Sequence, residues 1–260
     1  MHVEKKEFSI SDYKIWNRHA KWWKDTFTGG RDEEYDSLII PLILDLADGD
    51  GPVLDIGSGE GQIARAIAAK NRGISVVGID PSDAQLRNAL SADAAYGNRI
   101  SYVRGTAEEL PFRENSYAMA ICCLVIEHTV NPDSVLTEVA RVLKPGGKFI
   151  LLINHPFFQG TGSGLVDDRI LGEQYWRVGP YLTEDVVLEE VDPGVMLPFA
   201  HRPISRYINP LTELDFVLVK MVEPPPLEGL VDQSVAPELE SAIPRLLAMV
   251  FEHRCPQQAV

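Results

Sequence analysis

The sequence predicts an α/β fold built on a doubly wound, mostly parallel sheet. Between residues 52 and 154, short apolar segments alternate with amphipathic segments, a pattern typical of parallel strands covered by helices on both faces. A glycine-rich loop joins the first strand to the first helix. With 260 residues, 45% of them apolar, the chain is long enough for one such domain of roughly 200 to 250 residues with appendages.

Five strands and three helices account for this alternating region. The strands are predicted at residues 52–56, 75–79, 100–104, 118–126 and 148–154. The helices are predicted at residues 61–70, 83–95 and 133–143. Pro145 and the two glycines after it allow the chain to turn from the last helix into the fifth strand.

The residues before this region predict two helices. Ser11 or Asp12 can cap the first, and the second is expected at residues 33–47. One face of the first helix is apolar, because its large residues recur at helical spacing. That face carries Trp16, Ala20, Trp23 and Phe27. These aromatic side chains pack against the sheet domain or cover the mouth of a site.

The residues after this region predict a lid and the end of the sheet. Residues 155–201 are rich in glycine and aromatic residues but lack a long periodic run, so we expect an irregular lid over a binding site. A helix at 203–214 and strands at 216–222 and 245–251 follow. The predicted division is therefore a helical cap (1–48), a core (49–154), a lid (155–202) and a C-terminal completion of the sheet (203–260).

Composition and charge exclude several classes of protein. The chain has 24 Lys and Arg against 38 Asp and Glu, a formal net charge of −14, which disfavours binding to nucleic acid or an anionic membrane. Its longest apolar run is shorter than the roughly 20 residues of a membrane helix, and its first residues do not resemble a secretory signal. We expect a cytoplasmic protein. Cys122, Cys123 and Cys255 show neither disulfide nor zinc spacing, and no metal site is predicted.

The glycine loop VLDIGSGEG, residues 53–61, points to a nucleotide-like ligand. A dinucleotide fingerprint requires a third glycine where Gln62 stands, and a phosphate-binding P-loop requires a Gly-Lys-Ser/Thr sequence that is absent. Asp55, before the first glycine, would repel a phosphate but suits a ligand with an ammonium group. The loop therefore favours a ligand that is cationic at one end.

Two further segments extend this argument. Asp80 ends the second strand and can accept both hydroxyls of a ribose; the alternative is that it caps the next helix, with Ser82 as its rival. After the third strand, the backbone of residues 106–108 can read the edge of an adenine. Ammonium, ribose and adenine sites at the carboxyl ends of parallel strands fit S-adenosylmethionine.

These motifs resemble those of the class I S-adenosylmethionine-dependent methyltransferases, within the methyltransferase type 11 group similar to enzymes of ubiquinone and menaquinone biosynthesis. The resemblance covers residues 52–154 and includes Ile126-Glu127-His128 and the segment 141–147, RVLKPGG. It implies a Rossmann-like sheet of seven strands with the last strand antiparallel. Thr106 departs from the pattern, because many members have an Asp there that contacts the adenine amino group. Ala118 also replaces an Asp.

The motifs and the resemblance together define a set of candidate cofactor-binding residues. It consists of Asp55, Gly57, Ser58, Gly59, Gly61, Asp80, Pro81, Thr106, Ala107, Glu108, Cys123 and His128. His155 and His201 bracket the lid and are the candidate catalytic residues, because imidazole titrates near neutral pH. We assign His128, a third candidate base, to the cofactor pocket.

The predicted reaction is methyl transfer to O, N or C of a small-molecule acceptor by in-line displacement. Aromatic residues between 157 and 199 suggest an acceptor with apolar or aromatic surface. Three alternatives remain: a tRNA or protein methyltransferase, a module that binds S-adenosylmethionine without catalysis, and a nicotinamide oxidoreductase. Either a monomer or a homodimer is compatible with the sequence.

Overall fold

Eleven strands occur in the computed structural model, which describes residues 13–28, 32–94, 100–227 and 237–254. They are β1 (Val53–Ile56), β2 (Val76–Asp80), β3 (Ile100–Arg104), β4 (Tyr117–Cys123), β5 (Leu143–Asn154), β6 (Gly164–Asp168), β7 (Glu173–Arg177), β8 (Asp185–Asp192), β9 (Val195–His201), β10 (Phe216–Val222) and β11 (Leu246–His253). Ser11, Asp12 and Cys255 lie outside the described residues.

Seven of these strands form one sheet in the order β10-β11-β5-β4-β1-β2-β3. Neighbouring strands from β3 to β5 are parallel, whereas β11 is antiparallel to both β5 and β10. The predicted seven-stranded sheet with an antiparallel last strand is therefore confirmed.

Helices cover both faces of the sheet. They are α1 (Lys14–Phe27), α2 (Ile40–Leu46), α3 (Gln62–Lys70), α4 (Asp83–Asp93), α5 (Pro132–Val142), α6 (Ser205–Glu213) and α7 (Pro237–Ala242), and a π-helix (Tyr35–Ile39) leads into α2. Apolar residues of α2 and α3 pack on one face, and those of α5 and α6 pack on the other. Successive β1 residues alternate between these faces: Val53 belongs to the first cluster and Leu54 to the second.

Asp55 lies inside this core because of the same alternation. It stands between the fully buried Leu54 and Ile56, and only 2% of its surface is exposed. A carboxyl group in such a place is costly unless hydrogen bonds or a ligand compensate. Its burial makes the end of β1 a candidate ligand-binding position.

The lid is more regular than the sequence predicts. It contains two antiparallel hairpins, β6–β7 and β8–β9, so the expectation of an irregular segment is wrong. The second hairpin turns at Pro193-Gly194, where Gly194 has a φ of 79°. Its strands escape detection because β9 contains Pro198 and β8 does not alternate between apolar and polar residues.

Smaller differences occur where β4 and β5 meet the loops. β4 ends at Cys123, whereas the prediction continues it to Ile126, where a 3₁₀ turn at Ile126–His128 begins. Leu124 has a φ of 54°, which ends the extended conformation. β5 begins already at Leu143, which pairs with Tyr117 of β4. No helix within the described residues is long and apolar enough to span a membrane.

Candidate active site

A cavity lies at the carboxyl ends of β1 to β4, beneath α1. It contains about 880 Å³ of empty space, counting its open mouth. Its acidic lining residues are Asp55, Glu60, Asp80 and Glu108, and its aromatic ones are Tyr13, Trp16, Trp23, Tyr35 and His128. None of the described residues that line it is Lys or Arg.

The glycine loop forms the floor of the cavity next to β1. Gly57 has a φ of 67°, and a β-carbon there would overlap the side chain of Val125. Gly59 has a φ of 53°, yet no atom lies within 4 Å of the position that its β-carbon would take. The loop therefore packs closely on one side and leaves free space against the backbone on the other, as a ligand cradle requires.

Asp80 fastens this loop to the end of β2. Its Oδ2 accepts a hydrogen bond from the Gly59 amide at 2.9 Å, and its Oδ1 accepts one from the Ser82 amide at 2.8 Å. Burial raises the pKa of Asp80 to about 6 despite these two bonds. Ser82, not Asp80, caps α4, because its hydroxyl oxygen accepts a hydrogen bond from the Gln85 amide. The capping alternative for Asp80 is thus excluded.

Asp55 is the second buried carboxyl group of the cavity. Its Oδ2 accepts a hydrogen bond from the Ala64 amide at 3.1 Å, in the first turn of α3. Burial raises its pKa to about 7, and the neighbouring charge of Asp80 adds to this effect. Two acids whose charges are disfavoured in the same cavity provide a strong attraction for a cationic group.

The loop after β3 supplies the opposite end of the cavity. Ala107 and Glu108 line it, whereas Thr106 lines a neighbouring surface cleft. Glu108 Oε2 accepts a hydrogen bond from the Tyr13 hydroxyl at 2.8 Å. Thr106 therefore lies in a different cleft from Ala107 and Glu108, and its contact with the adenine stays a prediction.

Most of the other predicted cofactor residues also meet here. Gly57, Ser58, Gly59, Pro81, Cys123 and His128 line the cavity. Gly61 does not. It begins α3 with a φ of 84°, and a β-carbon there would overlap the Tyr102 ring, so its role in the structure is to allow the turn and the packing.

Three buried oxygen atoms on cavity-lining residues have no hydrogen-bond partner among the described residues. They are Ser58 Oγ, Gln85 Oε1 and Glu108 Oε1. Buried polar groups are usually hydrogen-bonded in folded proteins, so these three atoms are available to a polar ligand. Together with the free space at Gly59, they fit a molecule that carries amino and hydroxyl groups.

Sequence reasoning missed several residues of this site. Gln85 lines it from the first turn of α4, and Glu60 from the glycine loop. Tyr35 follows the α1 segment and is buried against Cys123, whose thiol is its hydrogen-bond partner. Gln85 could have been found from the sequence, because it lies in the first turn of the helix that follows Asp80. The sequence gives no comparable signal for Tyr35.

Helix α1 covers the cavity through specific contacts. Asn17 Oδ1 accepts hydrogen bonds from the Ser82 hydroxyl at 2.9 Å and the Ala84 amide at 3.0 Å. Trp22 Nε1 donates to Asp192 of the β8–β9 hairpin at 2.7 Å. The expectation that the aromatic helix covers a site mouth agrees with this arrangement, and Trp16 and Trp23 line the cavity directly.

His155 and His201 lie outside the cavity lining. His155 Nε2 forms a hydrogen bond with Glu223 Oε1 at 2.9 Å, and its Nδ1 accepts a hydrogen bond from the Phe157 amide at 3.1 Å. His201 Nε2 donates to the Tyr181 carbonyl at 2.8 Å. Both rings are buried, with 4% exposure each. The structure therefore does not bring them to the cofactor residues, and their catalytic role stays a prediction.

Comparisons with known proteins agree with this geometry. A family model described as a methyltransferase domain matches residues 54–151. Over 180 residues the chain is 34% identical to the ubiquinone biosynthesis O-methyltransferase of Dechloromonas aromatica (strain RCB), covering 68% of this chain and 67% of that protein. It is 36% identical over 107 residues to the ubiquinone/menaquinone biosynthesis C-methyltransferase of Geobacter sp. (strain M21), covering 40% and 46%.

A solved structure shares the fold. The S-adenosylmethionine dependent methyltransferase from Mesorhizobium loti matches with a TM-score of 0.67 and 24% identity, covering 82% of this chain and 96% of that one. The chain belongs to the class I S-adenosylmethionine-dependent methyltransferases, and S-adenosylmethionine is the cofactor of this family. The chain spans less than half the length of some of the curated relatives that it matches.

Proposed function

We propose that this protein transfers a methyl group from S-adenosylmethionine to a small-molecule acceptor. The observation that supports this most strongly is the pair of buried acids, Asp55 and Asp80, in one cavity with an aromatic wall. An ammonium ion and a sulfonium ion would relieve the electrostatic cost of both carboxylates.

The proposed binding mode follows the strand order. Asp55 and the glycine loop hold the ammonium end over β1, Asp80 accepts the ribose hydroxyls at β2, and the loop at Ala107 and Glu108 faces the adenine beyond β3. The sulfur and its methyl group then face the β4 side of the sheet. There Cys123, Leu124 and Val125 line the cavity.

The acceptor side of the cavity favours an uncharged or cationic molecule with apolar surface. Trp16, Trp23 and Tyr35 provide broad apolar contact, and among the described lining residues there is no Lys or Arg to pair with a carboxylate or phosphate. The relatives named as O- and C-methyltransferases of ubiquinone biosynthesis also support a small ring-containing acceptor. Either a monomer or a homodimer is compatible with this proposal.

Transfer of a labelled methyl group tests the proposal. The protein and methyl-labelled S-adenosylmethionine are incubated with a small-molecule metabolite extract, with total tRNA and with a protein extract. We expect label in the small-molecule fraction. Label in tRNA or protein instead would favour a macromolecular acceptor, and binding of the cofactor without any transfer would indicate a non-catalytic module.

A further inference from the structure

We propose that His128 is the general base of the reaction, and that its Nε2 atom removes a proton from an O–H or N–H group of the acceptor. This inference rests on the proposed function and deepens it. It differs from the sequence prediction, which gives His128 to the cofactor pocket and the catalytic role to His155 and His201.

A single contact fixes the orientation of the ring. His128 Nδ1 lies 2.7 Å from the backbone carbonyl oxygen of Pro198. A carbonyl oxygen can only accept a hydrogen bond, so Nδ1 carries the proton in that contact. In the neutral imidazole, Nε2 is then the atom with the free lone pair.

The surroundings keep the ring neutral. Burial lowers the pKa of His128 below its ordinary value. Two charged groups act on it: Glu127, its neighbour in the 3₁₀ turn, raises the pKa, and Arg202, immediately after β9, lowers it. Trp16 of α1 and Phe199 of β9 contribute uncharged rings whose centroids lie 5.0 Å and 4.6 Å from the imidazole. A neutral ring of this kind can accept a proton at neutral pH.

The position of the ring agrees with this role. His128 lines the cavity on the β4 side, where the proposed binding mode places the sulfur and methyl group of the cofactor. Its Nε2 has no hydrogen-bond partner among the described residues, whereas both nitrogens of His155 are engaged. A base on this side lies next to the reacting atoms.

Other proton acceptors in the cavity are less suitable. Burial raises the pKa of the Cys123 thiol and of the Tyr35 hydroxyl well above their ordinary values, so both remain protonated at neutral pH. Asp55 and Asp80 lie at the cofactor positions. Among the described lining residues, His128 combines a free lone pair with a place on the acceptor side.

The proposed reaction combines methyl transfer with the loss of one proton from the acceptor. A lone pair on the acceptor oxygen or nitrogen forms a bond to the methyl carbon, and the carbon–sulfur bond breaks with its electron pair on sulfur. S-Adenosylhomocysteine is the by-product. The acceptor proton passes to His128 Nε2 and from there to water, so the enzyme returns to its initial state.

His128→Asn is the most informative variant. Its amide nitrogen can still donate to the Pro198 carbonyl from the position of Nδ1, but the basic Nε2 is lost. Phenol, catechol and benzylamine are the O–H and N–H probes, and thiophenol is the control because it is ionised at pH 8 without a base. We expect transfer to the first three to fall by about 100-fold or more, with little change for thiophenol and for S-adenosylhomocysteine affinity.

Nitrogen-15 NMR of the histidines provides a second readout that needs no turnover. In the complex with S-adenosylhomocysteine at pH 7, we expect a proton on Nδ1 of His128 and a free Nε2. The kcat of the wild type should rise with pH along an acidic limb that His128→Asn lacks.

Several outcomes would overturn the proposal. They are a protonated Nε2 in that complex, equal loss for thiophenol and phenol, an unchanged rate in His128→Asn, and no transfer to any O–H or N–H probe by a protein that binds S-adenosylhomocysteine. Failure to bind S-adenosylhomocysteine at all would instead refute the proposed function.

Discussion

Two regions of the molecule are built in different ways: the proposed cofactor end of the cavity and the lid. The cofactor end consists of short loops at the tips of β1, β2 and β3, and backbone amides of the core anchor its acids Asp55 and Asp80. The lid consists of two hairpins that expose large apolar side chains. These include Ile170, Leu171 and Val186.

This difference separates a region that is tied to the buried core from one that is not. The proposed cofactor end is part of the buried sheet, so substitutions there also affect stability. The lid contributes no described residue to the two main apolar clusters, so it can vary without disturbing the core. Substitutions at the cofactor end should therefore alter cofactor affinity and stability together, whereas substitutions in the lid should leave cofactor affinity unchanged.

The largest effect is expected for Asp55→Asn. The folded-state pKa of Asp55 is about 7, above its ordinary value of 3.8, so wild-type stability falls as pH rises from about 4 to 7. The variant lacks this cost and should be more stable by roughly 2–4 kcal/mol at pH 8. Urea unfolding at pH 8 and pH 4 measures the difference, which should approach zero at pH 4.

The same variant should bind S-adenosylhomocysteine more weakly, because it cannot pair with an ammonium group. A gain in stability together with a loss of affinity distinguishes a functional acid from a structural one. Lower stability at pH 8 would contradict this assignment.

Asp80→Ala tests the neighbouring strand. We expect the affinity for S-adenosylhomocysteine to fall by roughly 1–3 kcal/mol, because the ribose contacts and the anchor of the Gly59 amide are lost. Asp83→Ala is the matched control: this acid lies in the first turn of α4, is 46% exposed and pairs with Arg104. Calorimetry that finds equal affinity for Asp80→Ala and the wild type would reject the role of Asp80.

Substitutions in the lid should change stability but not cofactor affinity, and His201→Ala tests this expectation. Loss of the bond to the Tyr181 carbonyl and of a buried ring should reduce stability by roughly 1–3 kcal/mol. His201→Gln should recover part of it, because its amide reaches the same carbonyl. We expect S-adenosylhomocysteine affinity to stay constant in both variants; a strong loss of transfer at constant stability would instead support the catalytic role predicted from the sequence.

The smallest effect is expected where α1 meets the cofactor end. Tyr13→Phe removes the hydrogen bond to Glu108 and should cost about 0.5–1.5 kcal/mol of affinity. Stopped-flow fluorescence of Trp16 and Trp23 should show this mainly as faster release of S-adenosylhomocysteine. An unchanged release rate would mean that α1 does not retain the ligand.

Much of the cofactor end could be predicted from the sequence. Parallel strands bring their carboxyl ends to one edge, so Asp55 and Asp80 could be placed together from their positions in two successive strands. Gly57 and Gly59 followed from the loop that joins β1 to α3.

The lid and the cover of the site could not be predicted in the same way. The hairpin β8–β9 depends on pairing between strands with weak individual signals. The structural partners of His201 and His155, Tyr181 and Glu223, are distant in sequence. The placement of Thr106 outside the cavity depends on a local turn, which pairs it with Glu109.

Calorimetric titration of the intact protein with S-adenosylhomocysteine at pH 8 tests the central claim most directly. We predict saturable binding of one molecule per chain, with weaker binding at pH 5, where Asp55 and Asp80 are protonated in the free protein. Absence of binding by folded protein, or binding of equal strength at both pH values, would contradict a site in which two buried acids recognise this ligand.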